Sequence, residues 1–174
     1  MKSTYQKSYF VTASFINFKF IFHFYNRNEG EMFMKIKVVY TNHCKDTKLL
    51  AEDMARYAKT YAQSIEDFDF QEEIDLLVLG FEDYPCLNDK ELTKFISSLK
   101  RQYVKNIALF NLFWYSNKQM EKAIKLCQDN DLPLMRETYS SKRKLTPQKR
   151  LSNDTVEGGR LYIVDMITIC RNYY

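Results

Sequence analysis

The sequence predicts an α/β domain built on a parallel sheet, and three observations lead there. Two short runs, DLLVLG at 75–80 and NIALF at 106–110, are almost entirely apolar, the mark of central strands covered on both faces. A segment with apolar residues at helical spacing follows each of them. Strands that alternate with helices imply parallel βαβ units joined by right-handed crossovers. The composition of the 174 residues, 45 % hydrophobic and 28 % charged, suits one soluble globular core. No run of about 18 apolar residues exists to span a membrane.

Residues 1–33 stand apart. They are crowded with Phe, Tyr, Asn, Lys and Ile, residues with AT-rich codons, and NEGE at 28–31 is encodable with GGAG, a ribosome-binding sequence just before Met32 and Met34. The expectation is an N-terminal extension foreign to the native protein, which would start at Met34 or Met32 and form its domain over 34–174. A signal peptide fits poorly, because Asn17, Lys19 and His23 interrupt the apolar run. The alternation of Phe18, Phe20, Phe22 and Phe24 suits a half-buried strand or a sticky edge.

From Met34 the elements follow in order. Residues 35–41 read as a buried strand through Ile36, Val38, Val39 and Tyr40, which are β-favouring and end at a polar break. Asp46 or Thr47 would cap the next helix, with Leu50, Met54, Tyr57 and Ala58 on its inner face. Residues 63–70 make a short second strand or extended link, too brief for a further helix before 75–80. A helix over 89–101 carries Leu92, Phe95, Ile96 and Leu99 inward, and the strand 106–110 ends in the aromatic loop NLFWYSN. A helix over 118–129, with Met120, Ala123, Ile124 and Cys127 inward, leads to a last strand at 134–139. A closing helix spans 159–174.

Net charge is +4, of which residues 1–33 supply +2 through Lys2, Lys7, Lys19 and Arg27 against Glu29 and Glu31. The remaining basic excess lies in SSKRKLTPQKR at 140–150, read as a solvated loop in preference to a nucleic-acid contact, since no binding motif accompanies it. Cys44, Cys86, Cys127 and Cys170 lie far apart without histidines at ligand spacing, which argues against zinc and for reduced thiols.

The stretches VVYTNHCKDTKLLAE, LLVLGFEDYPC and ALFNLFWYSN together resemble the flavodoxin-like proteins over 34–174. The resemblance implies a doubly wound parallel sheet of five strands in order 2-1-3-4-5, in three α/β/α layers. It implies FMN, with the phosphate held by Thr41, Asn42, His43, Cys44, Lys45, Asp46 and Thr47 at the start of the first helix. Gly80, Phe81 and Tyr84 match the first flavin-flanking loop, and Asn111, Leu112, Phe113, Trp114 and Tyr115 the second.

The departures are specific. Cys44, Lys45 and Asp46 stand where the family has Thr, Gly and Asn; Phe81 and Glu82 replace a small residue and proline; Asn111 replaces a glycine. A Lys in place of glycine costs about 1 kcal/mol if its φ is positive, though its charge suits a phosphate, whereas Asp46 opposes one. Cys44, near a helix N-terminus and Lys45, is expected to have a lowered pKa, and Cys86 would lie on the same sheet edge. Two incidental small residues are preferred to a redox pair, and His43 reads as an exposed loop histidine.

The expected function is an FMN electron-transfer protein that serves a larger reductase or other redox protein, docked near Glu82 and Asp83. Catalytic residues and metal ligands are not expected, nor are nucleic-acid or membrane partners; the expected state is a cytoplasmic monomer. The alternatives are an accessory subunit of a reductase that has lost tight FMN binding, and a small FMN-dependent reductase with its own substrate.

Overall fold

The structure, a computed structural model, describes residues 34–83, 90–143 and 151–173. The extension 1–33, Tyr84 and Cys86 lie outside the described residues. The chain runs β1 (Ile36–Tyr40), α1 (Lys45–Tyr57), β2 (Ala62–Ser64), a 3-10 turn (Ile65–Asp67), β3 (Leu76–Asp83), α2 (Lys90–Ser98), β4 (Ile107–Phe113), α3 (Lys118–Asp129), β5 (Leu134–Lys142) and α4 (Asn153–Tyr173). All pairings are parallel and the strand order is β2-β1-β3-β4-β5, as expected.

Alternation along the strands divides the core in two. Val38, Tyr40, Leu76, Val78, Ala108, Phe110 and Leu112 face α1 and α4, while Val39, Leu77, Leu79, Phe81, Ile107 and Leu109 face α2 and α3. Helices α1 and α4 are joined by ions as well as by apolar contact. The Asp53 carboxylate takes Arg160 in a bidentate pair, Nε to Oδ2 at 2.7 Å and Nη2 to Oδ1 at 3.0 Å, and also Arg56 at 2.8 Å.

The hydrogen bonds from Arg160, with a further one from Arg56, hold the Asp53 carboxyl below its usual range. A depressed carboxylate contributes stability that is present above its unfolded pKa, about 3.9, and is lost as pH falls through the folded value. Arg160→Ala is therefore expected to cost about 1 kcal/mol near neutral pH, because the pair is partly exposed. Urea unfolding should show the gap between wild type and variant closing below about pH 4; a gap that persists to acid would deny the pair its role.

Boundaries differ from expectation at several elements: β2 is confined to Ala62–Ser64, α2 ends at Ser98, and β3 and β4 each run three residues further than expected, to Asp83 and Phe113. Helix α4 begins at Asn153, not at residue 159, so Gly158 and Gly159 lie inside it. Close contacts explain both glycines: a Cβ on Gly158 would meet the Tyr139 hydroxyl at 2.8 Å, and one on Gly159 would meet Leu50 Cδ1 and Met54 Cε at 2.9 Å. Strand β5 runs on to Lys142, three residues beyond the expected end, and carries part of the basic run into the sheet. Among the described residues no helix is long and apolar enough to cross a membrane.

Candidate functional site

The site lies where β1 stops and the central strands continue. Tyr40 is the last β1 residue paired with β3, opposite Gly80, and the Thr41 N–H donates to the Gly80 carbonyl at 3.0 Å. From there the chain turns through exposed Asn42 and His43 into α1, while β3 and β4 run three residues further as a pair to Asp83 and Phe113. A shelf forms over the N-terminus of α1, a place of unpaired N–H groups and partial positive charge.

That N-terminus is capped by Cys44, not by Asp46 or Thr47, its sulfur accepting the Asp46 N–H at 3.4 Å. Lys45 is the first helical residue, and the only described non-glycine residues with positive φ are Lys59 and Asp131. The strain expected at Lys45 therefore does not arise. Thr47 is fully buried, and its hydroxyl donates to Glu82 Oε1 at 2.8 Å. Asp46 is buried too, its Oδ2 paired with Arg143 Nη2 at 2.6 Å.

Strand alternation decides where the two acids of β3 go. Glu82 lies on the α1 face with Gly80 and meets Thr47; Asp83 points the other way and caps α3, accepting the Gln119 N–H at 3.1 Å and the Ser116 hydroxyl at 3.4 Å. Both carboxylates of the expected docking point thus make internal bonds. Asn111 is fully buried on that second face, its amide donating to Asn117 Oδ1 at 2.6 Å, and Asn117 in turn donates to Ser140 at 3.0 Å. The Asn111 Oδ1 atom has no hydrogen-bond partner among the described residues.

Arg143 is the residue that sequence reasoning missed. Its backbone N–H donates to the Phe113 carbonyl at 2.8 Å. Its guanidinium lies 4.7 Å from the Trp114 ring centroid, pairs with Asp46, and donates to the Cys44 sulfur at 3.4 Å. A residue assigned to a solvated basic loop instead straps the end of β5 to the start of α1; residues 144–150 of that run lie outside the described set. Composition gave no signal for this.

The remaining expected contacts scatter. The side chains of Phe81 and Leu112 are buried in opposite halves of the core. Gly80 sits within β3, and its lack of a side chain makes room for Phe110, not for a ring from solvent. Trp114 lies half-buried beneath Arg143, Phe113 is half-buried, and Tyr115 is 85 % exposed. His43 is exposed in the loop, as expected, and its Nε2 lies 2.8 Å from Glu91 Oε2 on α2. Burial raises the Cys44 thiol pKa, and the nearby Glu82 carboxylate adds to the rise over the opposing effects of the Asp46 N–H and Arg143. The expected lowering does not occur, so Cys44 lacks thiolate character.

Three groups expected to greet a phosphate are therefore already engaged. The Thr47 hydroxyl holds Glu82, the Cys44 sulfur holds a helix amide, and Asp46 holds Arg143. A dianion brought beside the Glu82 carboxylate would meet like-charge repulsion. As arranged, these residues do not fit the FMN phosphate. Among the described residues no cluster of His, Cys, Asp or Glu is suited to a metal.

No protein-family model matches the chain, and no curated protein matches it significantly. Solved structures do. A flavodoxin from the domain Archaea superposes with a TM-score of 0.58 at 16 % identity, over 79 % of this chain and 99 % of that one. A Streptococcus pneumoniae flavodoxin gives 0.61 at 11 % identity, over 76 % and 97 %. The flavodiiron core from Synechocystis gives 0.59 at 15 % identity, over 81 % of this chain and 37 % of that longer one. The fold is flavodoxin-like.

Proposed function

We propose that the chain is a flavodoxin-like redox accessory protein, which serves a larger oxidoreductase by contact and does not carry tightly bound FMN of its own. The single observation that supports this is the Thr47 to Glu82 hydrogen bond at 2.8 Å, which engages a hydroxyl of the expected phosphate loop with a carboxylate. The redox setting rests on the likeness in fold to flavodoxins and to a flavodiiron core. Such a protein needs no substrate-processing residues, and none is evident among those described; binding, orientation and electrostatics would be its whole contribution.

The test is optical. The full chain, purified without added cofactor, is expected to lack the visible absorption band of oxidised flavin and to remain colourless after incubation with FMN and gel filtration. A yellow protein with stoichiometric FMN would overturn the proposal in favour of an electron carrier. That second reading is favoured by the end-to-end match to single-domain flavodoxins, and it requires Glu82 to leave Thr47. Turnover of NAD(P)H with a small acceptor, by this protein alone, would instead indicate a reductase.

A further inference from the structure

We infer that Glu82 acts as a built-in anion in the cradle at the start of α1, selecting against ligands that carry a phosphate. The inference deepens the accessory reading above and rests on it. Its basis is geometric. Pairing of Tyr40 with Gly80 fixes the register, so that Glu82, two residues further on, hangs over the first turn of α1 on the same face. There the Thr47 hydroxyl and the positive end of the helix both favour a carboxylate. The cradle behaves as if loaded, and the charge that loads it cannot diffuse away.

Arg143 does not undo this. Its guanidinium is committed to Asp46 on one side and lies over Trp114 on the other, so the strongest cation nearby answers a different carboxylate. Lys45, the first residue of α1, is exposed. With Glu82 in place, a flavin that reached the shelf would gain nothing from its phosphate. With Glu82 replaced by a neutral residue, the Thr47 hydroxyl no longer faces a carboxylate and the helix end loses the counter-charge supplied by β3.

The experiment compares FMN with riboflavin, which differ only by the phosphate. Binding to the full-length wild type, Glu82→Ser and Glu82→Gln is followed by flavin fluorescence, with inorganic phosphate as competitor and circular dichroism to confirm folding. The ratio of riboflavin Kd to FMN Kd is expected near unity or below in wild type, and at least about tenfold higher in both variants. Phosphate should compete for FMN only in the variants. Glu82→Gln keeps the shape of the side chain, which guards against a loss of folding in Glu82→Ser. A tenfold FMN preference in wild type, or folded variants without any gain in FMN binding, would overturn the inference. The two readings fail separately: wild type that holds riboflavin refutes the colourless accessory but not the selection, whereas colourless variants refute the selection but not the accessory.

Discussion

Gly80→Ala is expected to destabilise the protein by about 3 kcal/mol, at the upper end of the usual cost of overpacking. A Cβ built on Gly80 would run into Phe110 Cζ and lie 2.6 Å from both Cε atoms, so that something must move. Phe110 is the direct cross-strand partner of Gly80, is fully buried, and sits in the core between the sheet and α1 with α4. Its ring has no free volume to retreat into, because protein interiors are packed as densely as organic crystals. Strands β3 and β4 would have to part at the point where they begin to form the shelf. Thermal unfolding should show a fall in Tm of about 6 to 12 °C for a domain of this size. Phe110→Leu in the Gly80→Ala background should recover part of the loss, giving a coupling energy that additive effects would not. A Gly80→Ala protein within about 0.5 kcal/mol of wild type would mean that the ring relaxes freely.

The same glycine shows where sequence reading stops. Its family position suggested a flavin-flanking loop, and the structure uses it as room for a phenylalanine 30 residues away, a pairing of which a single sequence carries no mark. The strands at 75–80 and 106–110 were legible because a buried parallel strand needs an unbroken apolar run, and the order of the sheet followed from the resemblance those runs supported. The loop at 41–47 was legible as a position for a related reason: topology places it at the carboxyl edge of the sheet whatever its residues are. What fills that position was not. Cys44 and Arg143 are 99 residues apart and Thr47 and Glu82 are 35 apart, and neither pair obeys any local spacing rule. Gly158 and Gly159 read as a helix boundary by propensity, yet tertiary contacts with Tyr139, Leu50 and Met54 demand small residues inside α4. Each miss arose where long-range packing overruled a local preference.

Tyr162→Phe is expected to cost about 2 to 3 kcal/mol, an unusual price for a single buried hydroxyl, and the reason lies in the register of β4 with β5. Ile107 pairs with Leu134, but Leu109 pairs with Thr138, so two residues advance on β4 while four advance on β5. Such a bulge interrupts the ladder and leaves backbone groups to be satisfied from elsewhere. The Tyr162 hydroxyl, from α4, fills that gap: it lies 3.0 Å from the Leu109 carbonyl and 3.1 Å from the Glu137 carbonyl, in a site where the tyrosine is 4 % exposed. Its one proton is shared between the buried Leu109 carbonyl and the part-buried Glu137 carbonyl, and a buried acceptor left unsatisfied costs about 1 to 3 kcal/mol. Burial also drives the phenol pKa far up, so the hydroxyl stays a donor throughout the accessible range. Tyr139, stacked on Tyr162 with ring centroids 5.7 Å apart, provides the control, because its hydroxyl serves only the Thr155 carbonyl among buried acceptors. Tyr139→Phe should cost about 1 kcal/mol by the same reasoning. Denaturant unfolding of the two variants should therefore rank them clearly, with Tyr162→Phe the weaker protein, and hydrogen exchange should show β4 and β5 opening together in that variant before β1 and β3. Equal losses in the two variants would mean that the bulge carbonyls find other donors.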